Sequence, residues 1–231
     1  MNIPYRSALI IGAGPGISAS LTRRLRAANI PVIIAARNVD KLASLVDETG
    51  AIALPVDATD PRQVETLFAQ ADARIGAPEI VAYNASGELR GPITELDPIA
   101  VDRAVAVSAL GAFYVVQQAA RRMAPAGNGA ILMTGSTASV KGFAGSSPFA
   151  MAQFAMRGLA QSAARELTPK GIHVAHFIID GAVRAGLDDR ATAPDSLLDP
   201  DAIAQSYVDV LRQPRSAWSW EIELRPWVEK F

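Results

Sequence analysis

The sequence predicts an α/β fold, a doubly wound parallel sheet of about seven strands with helices on both faces. Short aliphatic runs alternate with longer segments of helical periodicity. Each run is apolar throughout, as expected of parallel strands that are covered on both faces. The predicted strands are residues 8–11, 32–35, 52–54, 80–83, 131–133, 174–179 and a final alternating stretch, 218–227.

Short signals between these runs mark the helix boundaries. A capping side chain followed by proline predicts a helix start at Asp60-Pro61, Asp97-Pro98, Ser147-Pro148 and Asp199-Pro200. Glycine at the end of a helical pattern predicts a left-handed cap at Gly50, Gly76 and Gly171. Because no linker is long enough to separate domains, we expect a single Rossmann-type domain over residues 1–231.

Composition limits the classes of function. The chain has 231 residues, half of them hydrophobic, with 22 basic and 23 acidic side chains and no cysteine. A net charge of −1 offers no strong field for nucleic acid or an anionic membrane, so a small-molecule partner is expected. The N-terminal apolar stretch is too short and broken for a leader or membrane span, and we expect a cytoplasmic protein. His173 and His176 fall on opposite faces of a strand, so no metal site is expected.

The turn after the first strand carries the clearest functional signal. Gly12, Gly14 and Gly16 precede Ile17 and an amphipathic helix. Glycines let the backbone approach a pyrophosphate closely, and the N–H groups and dipole of the helix favour its negative charge. Ile17 occupies the last position of the strict G-x-G-x-x-G pattern, so a tight turn without a nucleotide is the alternative.

Three further strand ends supply groups for a dinucleotide. Arg37 follows the second strand, where a carboxylate would bind the ribose 2′-hydroxyl of NAD. A guanidinium pairs instead with a 2′-phosphate, which favours NADP(H) over NAD(H); a solvated arginine is the alternative. Asp57, beside Ala58, is placed to accept a hydrogen bond from the adenine amino group. Asn84 and Ala85 begin a turn of small residues near the cofactor ribose.

Together these motifs resemble the short-chain dehydrogenase/reductase family. The resemblance spans nearly the whole chain and rests on Gly12-x-x-x-Gly16-Ile17, Arg37-Asn38-x-x-Lys41-Leu42, Asp57-Ala58-Thr59-Asp60, Asn84-Ala85-Ser86-Gly87, Thr134-Gly135-Ser136 and Gly171-Ile172-His173-Val174. It implies an NAD(P)-binding oxidoreductase that acts on a carbonyl or an alcohol. It also implies a homodimer or homotetramer, often assembled through the helices that contain residues 112–122 and 149–167.

The resemblance implies a catalytic Asn-Ser-Tyr-Lys set, of which this chain retains one member. Ser136 matches the serine, whereas Phe149 and Gln153 stand at the tyrosine and lysine positions and Ser108 at the asparagine position. Phe149 cannot donate a proton, and Gln153 carries no charge that would lower the pKa of a neighbouring group. Since Phe149 and Gln153 are one helical turn apart, we expect both to line the cofactor.

Another group would have to replace the missing tyrosine. Asp180 is the first candidate, and the alternative is that it caps a turn. Asp180 precedes Gly181 and Val183, which resemble the family segment that contacts the nicotinamide carboxamide. The other candidates are Tyr83, Ser139, Lys141, His173 and His176. The segment 184–198, where the family often has a substrate-covering loop, is polar, and its Asp188, Asp189 and Arg190 are expected to face solvent.

Three functions therefore remain open at the level of the sequence. The first is an NADP(H)-dependent oxidoreductase with an altered proton-transfer arrangement. The second is a catalytically silent dinucleotide-binding protein that senses cofactor or serves as a partner subunit. The third is a structural oligomer that binds no nucleotide.

Overall fold

A computed structural model describes residues 2–184 and 193–229 and confirms the predicted α/β fold. Its strands are β1 Ala8–Ile11, β2 Val32–Ala36, β3 Ile52–Pro55, β4 Ile80–Tyr83, β5 Gly129–Ser136, β6 Ile172–Ile179 and β7 Glu221–Leu224. They form one sheet in the order β3-β2-β1-β4-β5-β6-β7, with every pair parallel. The strand order reverses between β1 and β4, where sheets of this kind bind ligands.

Helices cover both faces of the sheet. They are α1 Ile17–Ala27, α2 Ala43–Thr49, α3 Pro61–Ile75, α4 Pro98–Val105, α5 Gly111–Ala126, α6 Ser147–Leu167 and α7 Pro200–Leu211. On one face, α3, α5 and α6 pack on strand residues such as Leu9 and Val81. On the other face, α1, α2 and α7 pack on residues such as Ile10 and Phe177. Neighbouring residues of one strand thus enter different cores, which explains the continuous apolar runs.

Three of the four predicted helix starts are confirmed. The side chains of Asp60, Asp97 and Asp199 accept hydrogen bonds from backbone N–H groups of the first turns of α3, α4 and α7. The fourth is wrong by one residue, because α6 begins at Ser147 and the preceding Ser146 occupies its cap position without a capping bond. Proline is accepted there one residue later because no N–H of the first turn has a partner within the helix.

The glycine caps differ among themselves. Gly50 and Gly171 adopt the left-handed conformation, with φ, ψ of 65°, 20° and 80°, 20°, although Gly171 follows the short 3₁₀ turn Thr168–Lys170. Gly76 does not: its φ of 76° is positive, but its ψ of 171° lies far outside the left-handed helical region, so the prediction of a left-handed cap there is wrong. Glycine is still favoured at this position, because other residues rarely adopt a positive φ.

Strand lengths also depart from the sequence patterns. β5 and β6 each run for eight residues and pair along their whole length, so that Thr134, Gly135 and Ser136 belong to β5 although their side chains are small or polar. The predicted strand at 218–227 shortens to β7, which pairs only with the last four residues of β6. Pairing with a neighbouring strand, rather than residue type, sets these limits.

The helical run Pro98–Ala126 joins α4 and α5 through a π-helical turn, Ala106–Leu110. By length and composition, this run is apolar enough to cross a membrane, since an 18-residue window within it has a mean hydropathy of 1.7, a feature that the sequence-based expectation overlooked. Ala112, Val115 and Ala119 of this run are buried against the sheet. Core packing therefore accounts for part of its apolar character, as in the core helices of other globular proteins.

Candidate active site

A cavity of about 450 Å³ opens at the carboxyl ends of β1, β2, β3 and β4. Most of the predicted cofactor residues line it: Gly12, Gly14, Arg37, Asp57, Ala58, Asn84 and Ala85. Gly16 and Ile17 stand beside it, at the cap position and first residue of α1. The structure therefore brings together groups from four strand ends that the sequence predicted one by one.

Gly12 and Asn84 connect the turn after β1 with the turn after β4. Gly12 has a φ of 80°, and a Cβ atom there would lie 2.2 Å from the backbone nitrogen of Ala85. The Asn84 side-chain amide donates to the hydroxyl of Ser18 at 2.8 Å and to the Gly12 carbonyl at 3.4 Å. Gly12 is thus required by the close approach of two backbones, while Asn84 and Ser18 hold the turn in place.

The N-terminus of α1 is open for an anion. Gly16, with a φ of 93°, provides no side-chain cap, and the first turn of α1 contains no acidic residue. A Cβ atom on Gly14 would meet nothing within 4 Å. Backbone N–H groups without helical partners, next to empty space, are suited to a phosphate.

Two positively charged side chains line the cavity near the end of β2. Arg37 and Lys41 both line the cavity and are exposed, and neither makes a hydrogen bond or ion pair within the described residues. Asn38, between them, binds the backbone N–H of Asp40 through its side-chain oxygen at 3.0 Å. Lys41 belongs to the motif Arg37-Asn38-x-x-Lys41-Leu42, but no sequence pattern assigns it a role, and only its place on the cavity wall indicates one.

Asp57 is the only acidic residue among the described residues that line the cavity. Its Oδ1 atom accepts hydrogen bonds from the backbone N–H of Thr59 at 2.9 Å and from the Thr59 hydroxyl at 2.7 Å. Gln63 accepts from the Asp57 backbone N–H at 2.9 Å. These bonds fix the carboxylate and leave Oδ2 for another donor, which fits the predicted contact with an adenine amino group.

Ser136 ends β5 and begins a short turn, Thr137–Ser139. Its hydroxyl oxygen accepts from the backbone N–H of Ala138 at 3.2 Å, and Ser139 accepts from the Ser136 backbone N–H at 3.2 Å. Both bonds hold Ser136 in one position, and its hydroxyl proton has no acceptor within the described residues. Ser136 does not line the cofactor cavity, which ends at Ser86 and Val107.

Gln153 is absent from the described lining of this cavity, although it reaches Ser86, which lines it, and its contact with the cofactor stays a prediction. It is 1% exposed, with its carbonyl oxygen 3.2 Å from the Ser139 hydroxyl and its amide nitrogen 3.4 Å from the Ser86 hydroxyl. A neutral amide is buried at low cost when both of its ends are hydrogen-bonded, and this pairing draws the side chain inward. Phe149, one turn earlier, is half-buried, and the Arg90 guanidinium carbon lies 5.7 Å from its ring centroid.

Ser108 also makes its contacts within the protein. It is fully buried in the π-helical turn, and its hydroxyl accepts from the backbone N–H of Gly87 at 2.9 Å. The Ser108 hydroxyl therefore holds the turn after β4, and its assignment to the catalytic asparagine position stays a prediction. Nearby, Tyr83 donates to the carbonyl of Val107, and burial raises the pKa of its phenol well above the usual value. The Tyr83 hydroxyl is thus bound to the protein, and its side chain is fully buried.

Asp180 joins three strand ends. Its carboxylate accepts from the Thr137 hydroxyl at 2.6 Å and lies 3.0 Å from the Arg225 guanidinium. Asp180 is therefore neither an unpaired acid nor a turn cap, the two alternatives that the sequence suggested. Both of its oxygens bind residues from neighbouring strand ends. Gly181 follows with a φ of 145°, close to Pro226, and Val183 pairs with Leu198. Asp188, Asp189 and Arg190 lie outside the described residues.

The two histidines have separate environments. His173 bonds the Ser219 carbonyl at 2.8 Å and stacks on Trp218, whereas His176 bonds Glu221 at 3.2 Å. Burial lowers the pKa of both rings, so they are neutral at pH 7. The described residues contain no group of three histidine or acidic side chains placed to hold a metal ion.

The parallel sheet, its reversal at β1 and β4 and the phosphate-ready turn define a dinucleotide-binding protein of the Rossmann class. Residues 6–194 match the family model of the short chain dehydrogenases, and the chain belongs to that family. The short-chain dehydrogenase of Rhodopseudomonas palustris is 35% identical and superposes with a TM-score of 0.83, covering 96% of this chain and 99% of its own.

Two further proteins show how widely the likeness extends. The cis-4-hydroxycyclohexanecarboxylate dehydrogenase of Sinomonas cyclohexanicum is 34% identical over 197 residues, which is 81% of this chain and 79% of that protein. A metagenomic short-chain oxidoreductase solved in complex with NADP is 23% identical, with a TM-score of 0.82, and covers 96% of this chain and 97% of its own. At that identity, the likeness concerns the fold alone.

Proposed function

We propose that this protein is an NADP(H)-dependent oxidoreductase of a carbonyl or alcohol whose proton transfer differs from that of its family. The observation that carries the proposal is the cavity wall at the end of β2. Arg37 and Lys41 supply two unpaired cations there, and the described lining at the end of β2 contains no carboxylate that would bind a ribose 2′-hydroxyl. Guanidinium and ammonium groups bind phosphate, so this wall favours a 2′-phosphate.

The residues of the cavity fit the rest of such a cofactor. The open N-terminus of α1, with Gly14 and Gly16, would hold the pyrophosphate, and Asp57 the adenine amino group. Gly181 and Val183 would lie near the nicotinamide, as the family resemblance implies. When bound, the cofactor supplies or accepts the hydride. The described chain itself supplies binding, orientation and one hydroxyl donor.

Ser136 is the residue that we assign to the substrate oxygen, because its hydroxyl is held in place with a free proton. Phe149 offers no proton, and we propose that water that reaches the substrate supplies it. A positioned general acid typically contributes about 10²–10⁴-fold in rate. We therefore propose slow turnover, and we assign Asp180, which is bound to Thr137 and Arg225, to holding strand ends together.

The relative from Sinomonas cyclohexanicum is named for a hydroxycyclohexanecarboxylate, which is an alcohol on an apolar ring. It supports an alcohol or ketone as the substrate class. The test is oxidation of NADPH at saturating cofactor with cyclic and linear ketones, and reduction of NADP with the corresponding alcohols. Turnover well above the rate without substrate is expected. Tight cofactor binding with no turnover on any of them would contradict the proposal.

The second candidate function is a catalytically silent dinucleotide-binding protein, which senses cofactor or serves as a partner subunit. The buried Ser86–Gln153–Ser139 connection favours it, because it leaves no ionisable group at the lysine position. A silent parent that gains activity when Phe149 and Gln153 are replaced by tyrosine and lysine would support this candidate. Robust activity of the parent would exclude it.

We also propose a homodimer, in the cytoplasm, that buries an apolar surface of α5, α6 and the π-helical turn. Leu110, Phe113, Met151 and Phe154 are each 46–53% exposed there. Such a patch of large apolar side chains is typical of subunit interfaces. Light scattering after gel filtration should give twice the mass of the chain, and Phe154→Glu should give the monomer. A monomeric parent would contradict the assignment.

A further inference from the structure

Two cations pack on aromatic rings beside the substrate end of the site. The Arg90 guanidinium carbon lies 5.7 Å from the ring centroid of Phe149, and the Lys141 ammonium nitrogen lies 5.3 Å from that of Phe143. Phe149 is the residue at the position where the family places its proton donor. A positive charge over an aromatic ring is attracted to the face of that ring, which places the charge without neutralising it.

Both pairs lie on one rim. Arg90 belongs to the segment after β4, where the next residue, Gly91, donates its backbone N–H to the Gly145 carbonyl at 2.8 Å. Lys141 belongs to the segment after β5, and its backbone N–H donates to Thr137 at 3.0 Å. Thr137 directly follows Ser136. The two segments are thus tied together, and the second of them directly follows Ser136, whose hydroxyl we assign to the substrate oxygen.

The charges on this rim are available to a ligand. Arg90 uses only its Nε atom, 2.7 Å from Glu88, and the two side chains are 60% and 62% exposed. Exposed ion pairs are weak, so Glu88 competes little with a bidentate ligand at the two terminal nitrogens. Lys141 makes no ion pair within the described residues, and the Phe143 ring beside it is 44% exposed. The rim therefore combines anion-binding groups with apolar surface.

We propose that the substrate carries a carboxylate on an apolar body, with Arg90 and Lys141 binding the carboxylate and Phe143 and Phe149 packing on the body. This inference rests on the proposed oxidoreductase function and names its substrate class. A planar guanidinium matches the two oxygens of a carboxylate, and the ammonium adds a second donor. The replacement of the family tyrosine by phenylalanine then has a further consequence, because it makes the floor of the substrate site apolar.

The test is a calorimetric titration with cyclohexanecarboxylate as the probe and cyclohexanecarboxamide as its neutral isostere, with and without saturating NADP. We expect the carboxylate to bind about tenfold or more tightly than the carboxamide, and less tightly at high salt. Arg90→Gln should lower carboxylate affinity about tenfold and Lys141→Gln by a smaller factor, with carboxamide binding unchanged. Arg74→Gln, at an exposed arginine on α3, is the matched control and should have no effect.

The outcomes separate this inference from the proposed function. Equal binding of the two probes, or carboxylate binding that is unchanged in both rim variants, would overturn the inference even if ketones are reduced. Arg90-dependent carboxylate binding without any turnover would support the anion site and refute the oxidoreductase function. Circular dichroism and thermal melting of each variant ensure that lost binding is not lost folding, and unchanged carboxamide binding provides a second check.

Discussion

The cofactor half and the catalytic half of the site differ in whether their polar groups face open space or bind other groups of the protein. At the ends of β1 to β4, glycines, Arg37 and Asp57 keep the groups that a dinucleotide requires, and they face one open cavity. In the catalytic half, Gln153 of α6 and Ser108 of the π-helical turn are buried in hydrogen bonds to the protein, and Asp180, after β6, is paired with Arg225. Cofactor binding and proton transfer are therefore separable, and family membership alone does not establish both.

The largest expected effect concerns the backbone contact in the cofactor half. Gly12→Ala places a Cβ atom 2.2 Å from the backbone of Ala85, at a φ of 80°. We expect a loss of about 3 kcal/mol or more in the free energy of unfolding, together with loss of NADPH binding. Chemical denaturation and calorimetric titration measure the two effects.

Gly14→Ala is the control for this comparison, because its Cβ atom meets nothing within 4 Å. Stability should change by no more than about 1 kcal/mol, while NADPH affinity falls as the methyl group occupies the space for the pyrophosphate. Equal stability of the two variants would contradict the structural role of Gly12.

The second prediction concerns the catalytic half. Phe149→Tyr combined with Gln153→Lys should raise the rate of NADPH-dependent ketone reduction about 10²-fold, because it restores a proton donor and a cation that lowers its pKa. Phe149→Tyr alone should give a smaller gain. Steady-state rates at saturating NADPH are the measurement, and an unchanged rate in a double variant that still binds NADPH would refute this account of the site.

The third prediction sharpens the cofactor preference. Arg37→Gln should weaken NADPH binding about tenfold and leave NADH binding unchanged, since only NADPH carries the 2′-phosphate. Lys41→Gln should act in the same direction with a smaller effect. Competition titrations with both cofactors give the ratio. A parallel loss for NADPH and NADH would show that Arg37 acts on the fold or on the adenine side instead.

The smallest effect is on stability as a function of pH, and it concerns the catalytic side of the sheet. Burial lowers the pKa of His173 and His176 below 6.5, so the unfolded chain binds protons that the folded chain does not. Their contribution to stability is complete above pH 6.5 and is lost as the pH falls below it. The slope is at most about 1.4 kcal/mol per pH unit for each histidine.

Urea denaturation between pH 7 and pH 5 measures this slope. The window lies above the range in which Glu221 and Asp199 titrate, because their hydrogen-bonded and ion-paired carboxylates have pKa values lowered from 4.5 and 3.8. His176→Gln should reduce the slope by about half. A flat stability profile in this window would show that neither ring is neutral and buried in the folded state.

Most residues predicted to bind the cofactor meet at one cavity, because the sequence signals that pointed to them are local. A glycine-rich turn after one strand and a polar residue after the next both lie at the carboxyl edge of a parallel sheet, so their positions follow from the strand pattern alone. The environments of Gln153 and Ser108 depend instead on partners far along the chain. Gln153 is drawn inward by Ser86, and Ser108 by Gly87, 67 and 21 residues away. No local pattern reports such pairs.

The start of α6 is another feature that the local sequence did not predict correctly. Ser146 and Ser147 both precede Pro148, and either could have capped the helix on propensity alone. Arg90 was missed for another reason: it lies in an irregular segment, where no periodicity points to a neighbour. Only the packing on Phe149 reveals it.

We propose that a complete binding site for NADP(H) lies beside a catalytic position, Phe149, that has no proton donor. Calorimetric titration of the parent protein with NADPH and, separately, with NADH tests the first part most directly. The account predicts saturable binding of both cofactors, with NADPH at least about tenfold tighter. Tighter binding of NADH, or binding of neither, would contradict it.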